Sequence, residues 1–245
     1  MRRVTRQPLD PEAQTDLDTR QASVNAERHA LGFSATARWQ AARQTATLAS
    51  VLTTLRRMMG DRQRCMYCLD SHGTDIEHFW PKTPYPERMF VWLNLLLCCT
   101  ECGRFKGDRF PLADGTPLLV DPTAENPWEC LDFDPTTGNI VAKFDPERND
   151  YSTKGVETVK LLQLDQREAM ASGYKKTLCR LSRVVNAGLG QANPDAATLI
   201  AELRDADDHG LLTWCFHGSG RNEVPFRDLR ERHLRVWTAC AAAFA

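Results

Sequence analysis

The 245-residue sequence has no uninterrupted apolar stretch long enough to cross a bilayer, so no helical membrane span is expected. It also lacks a surplus of either charge. Lys and Arg number 31 against 32 Asp and Glu, a net charge of -1. A chain so balanced has no bulk attraction for nucleic acid, and any hold on phosphates has to come from local clusters of Lys and Arg. No secretory leader is legible: Met1, Arg2, Arg3 and Arg6 make the start basic, but no apolar run follows. The expectation is a cytoplasmic protein in a reducing compartment. Nine cysteines in that setting read as metal ligands and buried thiols, not as a disulfide framework, and their odd number agrees. Internal repeats and low-complexity segments are absent.

What is present is an ordinary globular composition, 42% hydrophobic and 26% charged, in a chain long enough to bury a sizeable core. Three regions are expected: helical over 1–62, a core over 63–150, and helical again over 151–245. In the first, Leu48, Val51, Leu52, Leu55, Met58 and Met59 recur at helical spacing within a segment running from Thr36 to Met59, and Gly60 ends it. In the second, cysteines, prolines and aromatics concentrate. Phe90 to Cys99 reads as a buried strand running into a turn, and Leu131–Phe133 with Ile140–Phe144 flank the turn-forming Asp134–Asn139 as a hairpin. In the third, helical patterns run from Val156 to Leu164 and from Leu178 towards Gly188. Pro194-Asp195 opens another through Leu203, and Pro225 opens the last. The apolar end from Trp237 to Phe244 fits either the chain's own core or a partner, and core is the preferred reading.

Two Cys-x-x-Cys pairs, Cys65/Cys68 and Cys99/Cys102, are separated by thirty residues. Each can aim two thiolates at one ion, and together they complete a tetrahedral zinc site that staples a thin core. Cys98 competes with Cys99, which is preferred because it restores the x-x spacing. Cys130, Cys179, Cys215 and Cys240 lack partners at ligand spacing and read as small buried apolar residues.

Between the knuckles lies Asp75-Ile76-Glu77-His78-Phe79-Trp80-Pro81-Lys82, and sixteen residues after His78 comes Asn94 in an apolar run. A one-metal phosphodiesterase needs a carboxylate for a divalent ion and an imidazole to take a proton from the attacking water. Glu77 and His78 supply both. A buried Asn must satisfy its amide, and Asn94 can do so by tying the loop back and holding the histidine.

The ordered set CMYC, DIEHFWPK, NLLLCCTEC and RFKGDRFPL resembles the HNH endonucleases with a ββα-metal core. It is most similar to the HNH proteins of retron and Septu-type anti-phage systems. The resemblance covers residues 60 to 145 and extends more loosely to the flanking helices. It implies an α+β protein in which a small zinc-stapled ββα-metal core is flanked by helical regions. It further implies that His78 is the general base, that Glu77 is a ligand of a catalytic Mg²⁺ or Mn²⁺, and that Asn94 orients the loop. Antiviral defence through nucleic-acid cleavage, DNA before RNA, and a partner ATPase of the SMC/ABC-like type are implied as well.

The sequence departs from that pattern at Gly103, where the family usually places a second metal ligand, His or Asn. Three readings follow: the ion is held by Glu77, water and substrate phosphate; Asp75 swings in; or the chain is a catalytically degenerate binding or adaptor subunit. Cleavage of RNA, tRNA included, is a further alternative. For the phosphates, Arg104, Lys106 and Lys82 are the candidate contacts, with Arg56, Arg57, Arg62, Arg64 and Arg109 as further local cations.

Overall fold

The computed structural model describes residues 1–245, which form two compact units, Arg3–Glu125 and Asn126–Ala245, the latter joined by Met1–Arg2. The architecture is α+β, with ten helices and four separate two-stranded antiparallel pairs. No helix is long and apolar enough to cross a membrane.

In the Arg3–Glu125 unit, α1 (Pro11–Glu27) starts where Asp10 accepts from the amides of Glu12 and Ala13, and it buries one stripe, Ala13, Leu17, Gln21 and Val24. The single helix expected over Thr36–Met59 is two: α2 (Ala35–Ala42) and α3 (Ala46–Met58). The break has a local cause. Thr45 closes back on Ala42, its amide at 2.9 Å and its hydroxyl at 2.7 Å from the Ala42 carbonyl, and its extended backbone then caps α3. From α3, Leu48, Val51, Leu55 and Met58 point inward. Gly60 ends this segment at φ +72°, a conformation that suits glycine.

The centre of this unit is β1 (Asp75–His78) paired antiparallel with β2 (Leu95–Cys98), in the register Asp75 opposite Cys98 and His78 opposite Leu95. Helix α4 (Thr100–Lys106) follows β2 with only Cys99 between them. The strand expected from Phe90 is shorter than its apolar run, because Trp92–Asn94 forms a 3₁₀ turn first. Arg6 clamps that turn, donating to the carbonyls of Leu95 at 2.6 Å and Leu93 at 2.9 Å with its guanidinium over Trp92. A small hairpin, β3 (Leu112–Ala113) and β4 (Thr116–Pro117), closes the unit.

In the other unit, the expected hairpin forms as β5 (Leu131–Phe133) and β6 (Ile140–Ala142). Asp134 organises its turn by accepting from the Thr136 amide and the Thr137 hydroxyl. A shorter pair, β7 (Phe144–Asp145) and β8 (Asp150–Tyr151), leads into α5 (Thr153–Leu162), capped by Ser152. Then come α6 (Glu168–Leu189), α7 (Ala196–Ala206), α8 (Leu212–His217), α9 (Phe226–Arg232) and α10 (Leu234–Ala243). The last two replace the single helix expected from Pro225, because the backbone leaves the helical region at His233. Trp237, Cys240 and Phe244 are buried, and Phe216 stacks on both Trp237 and Phe244, so the apolar C-terminal end is core.

The expected regions over 1–62, 63–150 and 151–245 therefore divide differently in space. Helix α3 belongs with β2, and the β5–β6 hairpin belongs with α5. The second grouping is tight at Gly155, where an added Cβ would lie 2.1 Å from the Cys130 carbonyl oxygen. Texture along the chain tracks composition, whereas the units follow the burial of apolar faces, which pairs segments distant in sequence.

Candidate metal centre and adjoining cleft

The first knuckle is a tight turn. Cys65 donates its amide to the Ser71 carbonyl, Leu69 returns to the Cys65 carbonyl, and Leu69 sits at φ +52°. The turn lies hard on β2: Met66 donates to the Leu97 carbonyl at 2.9 Å, and a Cβ on Gly73 would meet the Leu97 side chain at 2.3 Å. The second knuckle uses the helix start. Cys99 caps α4, its sulfur accepting from the Cys102 amide at 3.5 Å.

These two turns bring Cys65, Cys68, Cys99 and Cys102 together, with their four sulfurs within 4.8 Å of one another and all four residues buried. Tetrahedral zinc with bonds of ~2.3 Å needs sulfurs about 3.8 Å apart. Cys68 and Cys99 stand 3.8 Å apart, and an all-thiol donor set suits zinc. These four residues could hold a zinc ion. Crowding shows in their acidities: hydrogen bonds from neighbouring thiols, Cys102 first, hold Cys68 and Cys99 below the usual thiol range, while burial pushes Cys65 up. Cys98 lies outside the quartet and turns its sulfur to the Cys99 carbonyl. Of the cysteines without a partner at ligand spacing in the sequence, Cys215 and Cys240 are buried as expected. Cys130, between a 3₁₀ turn and β5, is half-buried, and Cys179 is exposed because a position on a helix faces solvent or core by its angle, not by residue type.

One side of this centre opens into a cleft of about 550 Å³, lined in part by Trp39, Arg43, Asp75, Glu77, Lys82 and Gly103. Glu77 is held by one oxygen. Its Oε1 accepts from the Lys106 ammonium and the His78 amide, both at 3.0 Å. Its Oε2 faces Gly103, 3.4 Å from where a Cβ would stand. The position without a side chain thus borders the carboxylate directly. Asp75 lines the same cleft but is paired with Arg43 at 3.3 Å.

His78 is 3% exposed. Its Nε2 lies 3.0 Å from the Met89 carbonyl oxygen, and Trp39 covers the ring edge-on at a centroid distance of 4.3 Å. A carbonyl only accepts, so Nε2 carries the proton and Nδ1 keeps a lone pair. Burial, with Lys82 and Lys106 nearby, lowers the His78 pKa to about 3, so the ring is neutral. Asn94 satisfies its whole amide: Oδ1 accepts from the Trp80 amide at 2.7 Å, and Nδ2 donates to the carbonyls of Trp80 and Arg88 at 3.0 and 2.9 Å. It ties both ends of the 80–88 loop to the start of β2. Asn94→Ala is expected to cost about 3 kcal/mol, since three part-buried bonds are lost at ~1 kcal/mol each. The Trp80 amide should then lose hydrogen-exchange protection, and unchanged protection would refute this role.

The sequence-predicted phosphate contacts divide. Arg104 is exposed beside Phe105, and Lys82 lines the cleft. Lys106 is not on the surface as expected. It is fully buried, bonded to Glu77 and, at 2.6 Å, to the His78 carbonyl. The reason is helical phase: Lys106 lies four residues after Cys102 and three after Gly103, so it shares the inward face that carries the buried Cys102 thiol. Lys106→Met leaves the Glu77 charge without its partner and is expected to destabilise this unit by ~3–5 kcal/mol, read by urea unfolding. A midpoint equal to wild type would show that the pair is dispensable. Sequence reasoning did not find Trp39 or Arg43, since neither lies near a motif.

No protein-family model matches the chain. A stretch of 108 residues, 42% of the chain, is 30% identical to the Septu protein PtuB of Bacillus thuringiensis. The match covers 37% of that relative's length.

Proposed function

We infer that this chain is a metal-dependent HNH-type endonuclease acting on DNA, the effector subunit of a Septu-type anti-phage complex with an SMC/ABC-like ATPase. The observation that carries this reading is the pairing, on one short strand, of a neutral His78 with its Nδ1 lone pair free and a Glu77 with one oxygen committed and one turned to the cleft. The similarity to the Septu protein supports the defence context.

The residues divide the work as follows. Glu77 Oε2, with water in the space beside Gly103, would hold Mg²⁺ or Mn²⁺; such ions keep several waters and accept few protein ligands. When bound, the ion would supply charge to the phosphate and the leaving oxygen. His78 Nδ1 accepts the proton of the attacking water, while the Met89 carbonyl fixes the ring. Asn94 holds the loop on which Lys82 is carried, and Lys82 and Arg104 meet the backbone phosphates. Trp39 shields His78, so a substrate has to move or pass that ring.

The test offers labelled DNA and RNA together to the purified chain with its ATPase partner, in Mg²⁺ or Mn²⁺ and without divalent ion. Divalent-dependent cutting of DNA supports the reading; cutting of RNA alone would make it an RNase. A second reading, a catalytically degenerate nucleic-acid-binding or adaptor subunit, is favoured by the absent side chain at Gly103. Under it the wild type cuts neither substrate and Gly103→Asn creates activity.

A further inference from the structure

A second cationic surface lies far along the chain from Glu77. Helix α6 presents Ser172, Lys175, Lys176, Cys179, Arg180 and Arg183 on one side, at the three- and four-residue steps that keep residues on one helical face. This side forms a groove of about 660 Å³, with Thr137 of the β5–β6 turn on its wall. The wall is fixed. A Cβ at Gly138 would lie 2.4 Å from the Ala171 carbonyl, and Lys175 donates to the Thr136 carbonyl at 2.9 Å. All four cations are exposed. Against them stand Glu168 at the groove's start and Asp208, which pairs with Arg180. Lys176 and Arg183 have no acidic partner, so the groove stays positive although the whole chain carries a net charge of -1.

The chemistry selects the ligand. From Lys175 to Arg183 the helix rises about 12 Å at ~1.5 Å per residue. That length spans three to four base-pair steps of a duplex, which rises ~3.4 Å per phosphate of each strand along its axis. The lining has no aromatic or large aliphatic side chain, so a folded protein partner would find no apolar anchor there, only the charged Lys and Arg heads. We propose that α6 is a docking groove for the sugar-phosphate backbone of a nucleic acid, held without regard to base sequence. Binding here needs no cleavage, so the proposal stands apart from the nuclease reading.

The test measures binding of a fluorescein-labelled 20-base-pair duplex to the full chain by anisotropy, in divalent-free buffer over a range of salt. Lys176→Glu with Arg183→Glu should weaken binding at least about tenfold. Lys176→Gln with Arg183→Gln should lower the slope of log K against log salt by roughly two, the share of two phosphate contacts. Both positions are exposed, and unchanged thermal unfolding of the neutral pair checks the fold. Bound duplex should also protect the Cys179 thiol from maleimide. An unchanged slope, or an unprotected Cys179, overturns the proposal. Displacement by polyglutamate as effective as by unlabelled duplex assigns the groove to an acidic protein instead.

Discussion

Replacing Cys65 or Cys102 by alanine is expected to release zinc and unfold the Arg3–Glu125 unit, the largest single effect anticipated in this protein. Apart from a metal, the turn at Cys65–Cys68 is held by one backbone bond to β2, from Met66 to Leu97, by its own Cys65–Ser71 and Leu69–Cys65 bonds, and by a left-handed Leu69. Structural zinc supplies about 10–16 kcal/mol in small zinc domains, more than the ~5–15 kcal/mol net stability of a typical domain. Metal analysis of the purified chain should give one zinc for wild type and none for the variants, and a strong chelator should unfold wild type likewise. Cys98→Ala is the contrast. Its sulfur borders the quartet but is not one of the four that converge, and it donates to the Cys99 carbonyl, so zinc content should be unchanged. Loss of zinc in Cys98→Ala with retention in Cys99→Ala would reverse the ligand assignment.

The second large effect concerns His78. If it is the general base, His78→Ala lowers divalent-dependent cutting by about 10²–10⁴-fold, the range such bases contribute. Because the ring is buried between Trp39 and Met89, its loss also removes packing, so His78→Gln serves as the better-filled control. A base role predicts that both variants bind substrate as wild type does yet fail to cut. Equal cutting by either variant would remove His78 from the reaction. The same ring sets a pH effect on stability. In the fold its pKa is lowered to about 3, whereas unfolded histidine titrates near 6.5. Below 6.5 the unfolded chain therefore binds a proton that the fold refuses, and stability falls as the pH drops from about 6.5 towards 3. Wild type should lose more urea resistance between pH 7 and pH 5 than His78→Gln; equal losses would show that His78 is not the group responsible.

The β5–β6 hairpin, the start of α7 at Asp195 and the cysteine quartet were legible because their signals are local: a turn residue, a cap, or an x-x spacing. The quartet needed one long-range step, and the metal's demand for four ligands supplied it. The helix breaks at Thr45 and His233 were not legible, since apolar periodicity continues across both. One role was misread from residue type alone: Lys106 looked like a surface cation and is a buried partner of Glu77. Another was not found: Arg6, counted only as part of a basic start, clamps the turn before β2. Burial lowers the Arg6 pKa to about 10, still charged at neutral pH, which its two carbonyl partners make tolerable.

By itself, then, the sequence determined which side chains are available to this centre: four thiols, Glu77 next to His78, and Asn94 sixteen residues on. Only the tertiary structure decided their states. It pinned His78 Nε2 on Met89, committed one Glu77 oxygen to Lys106, and turned the other towards Gly103. The physical reason is that protonation and pairing depend on burial and on neighbours contributed by distant segments, Trp39 and Met89 among them, which spacing along the chain does not encode.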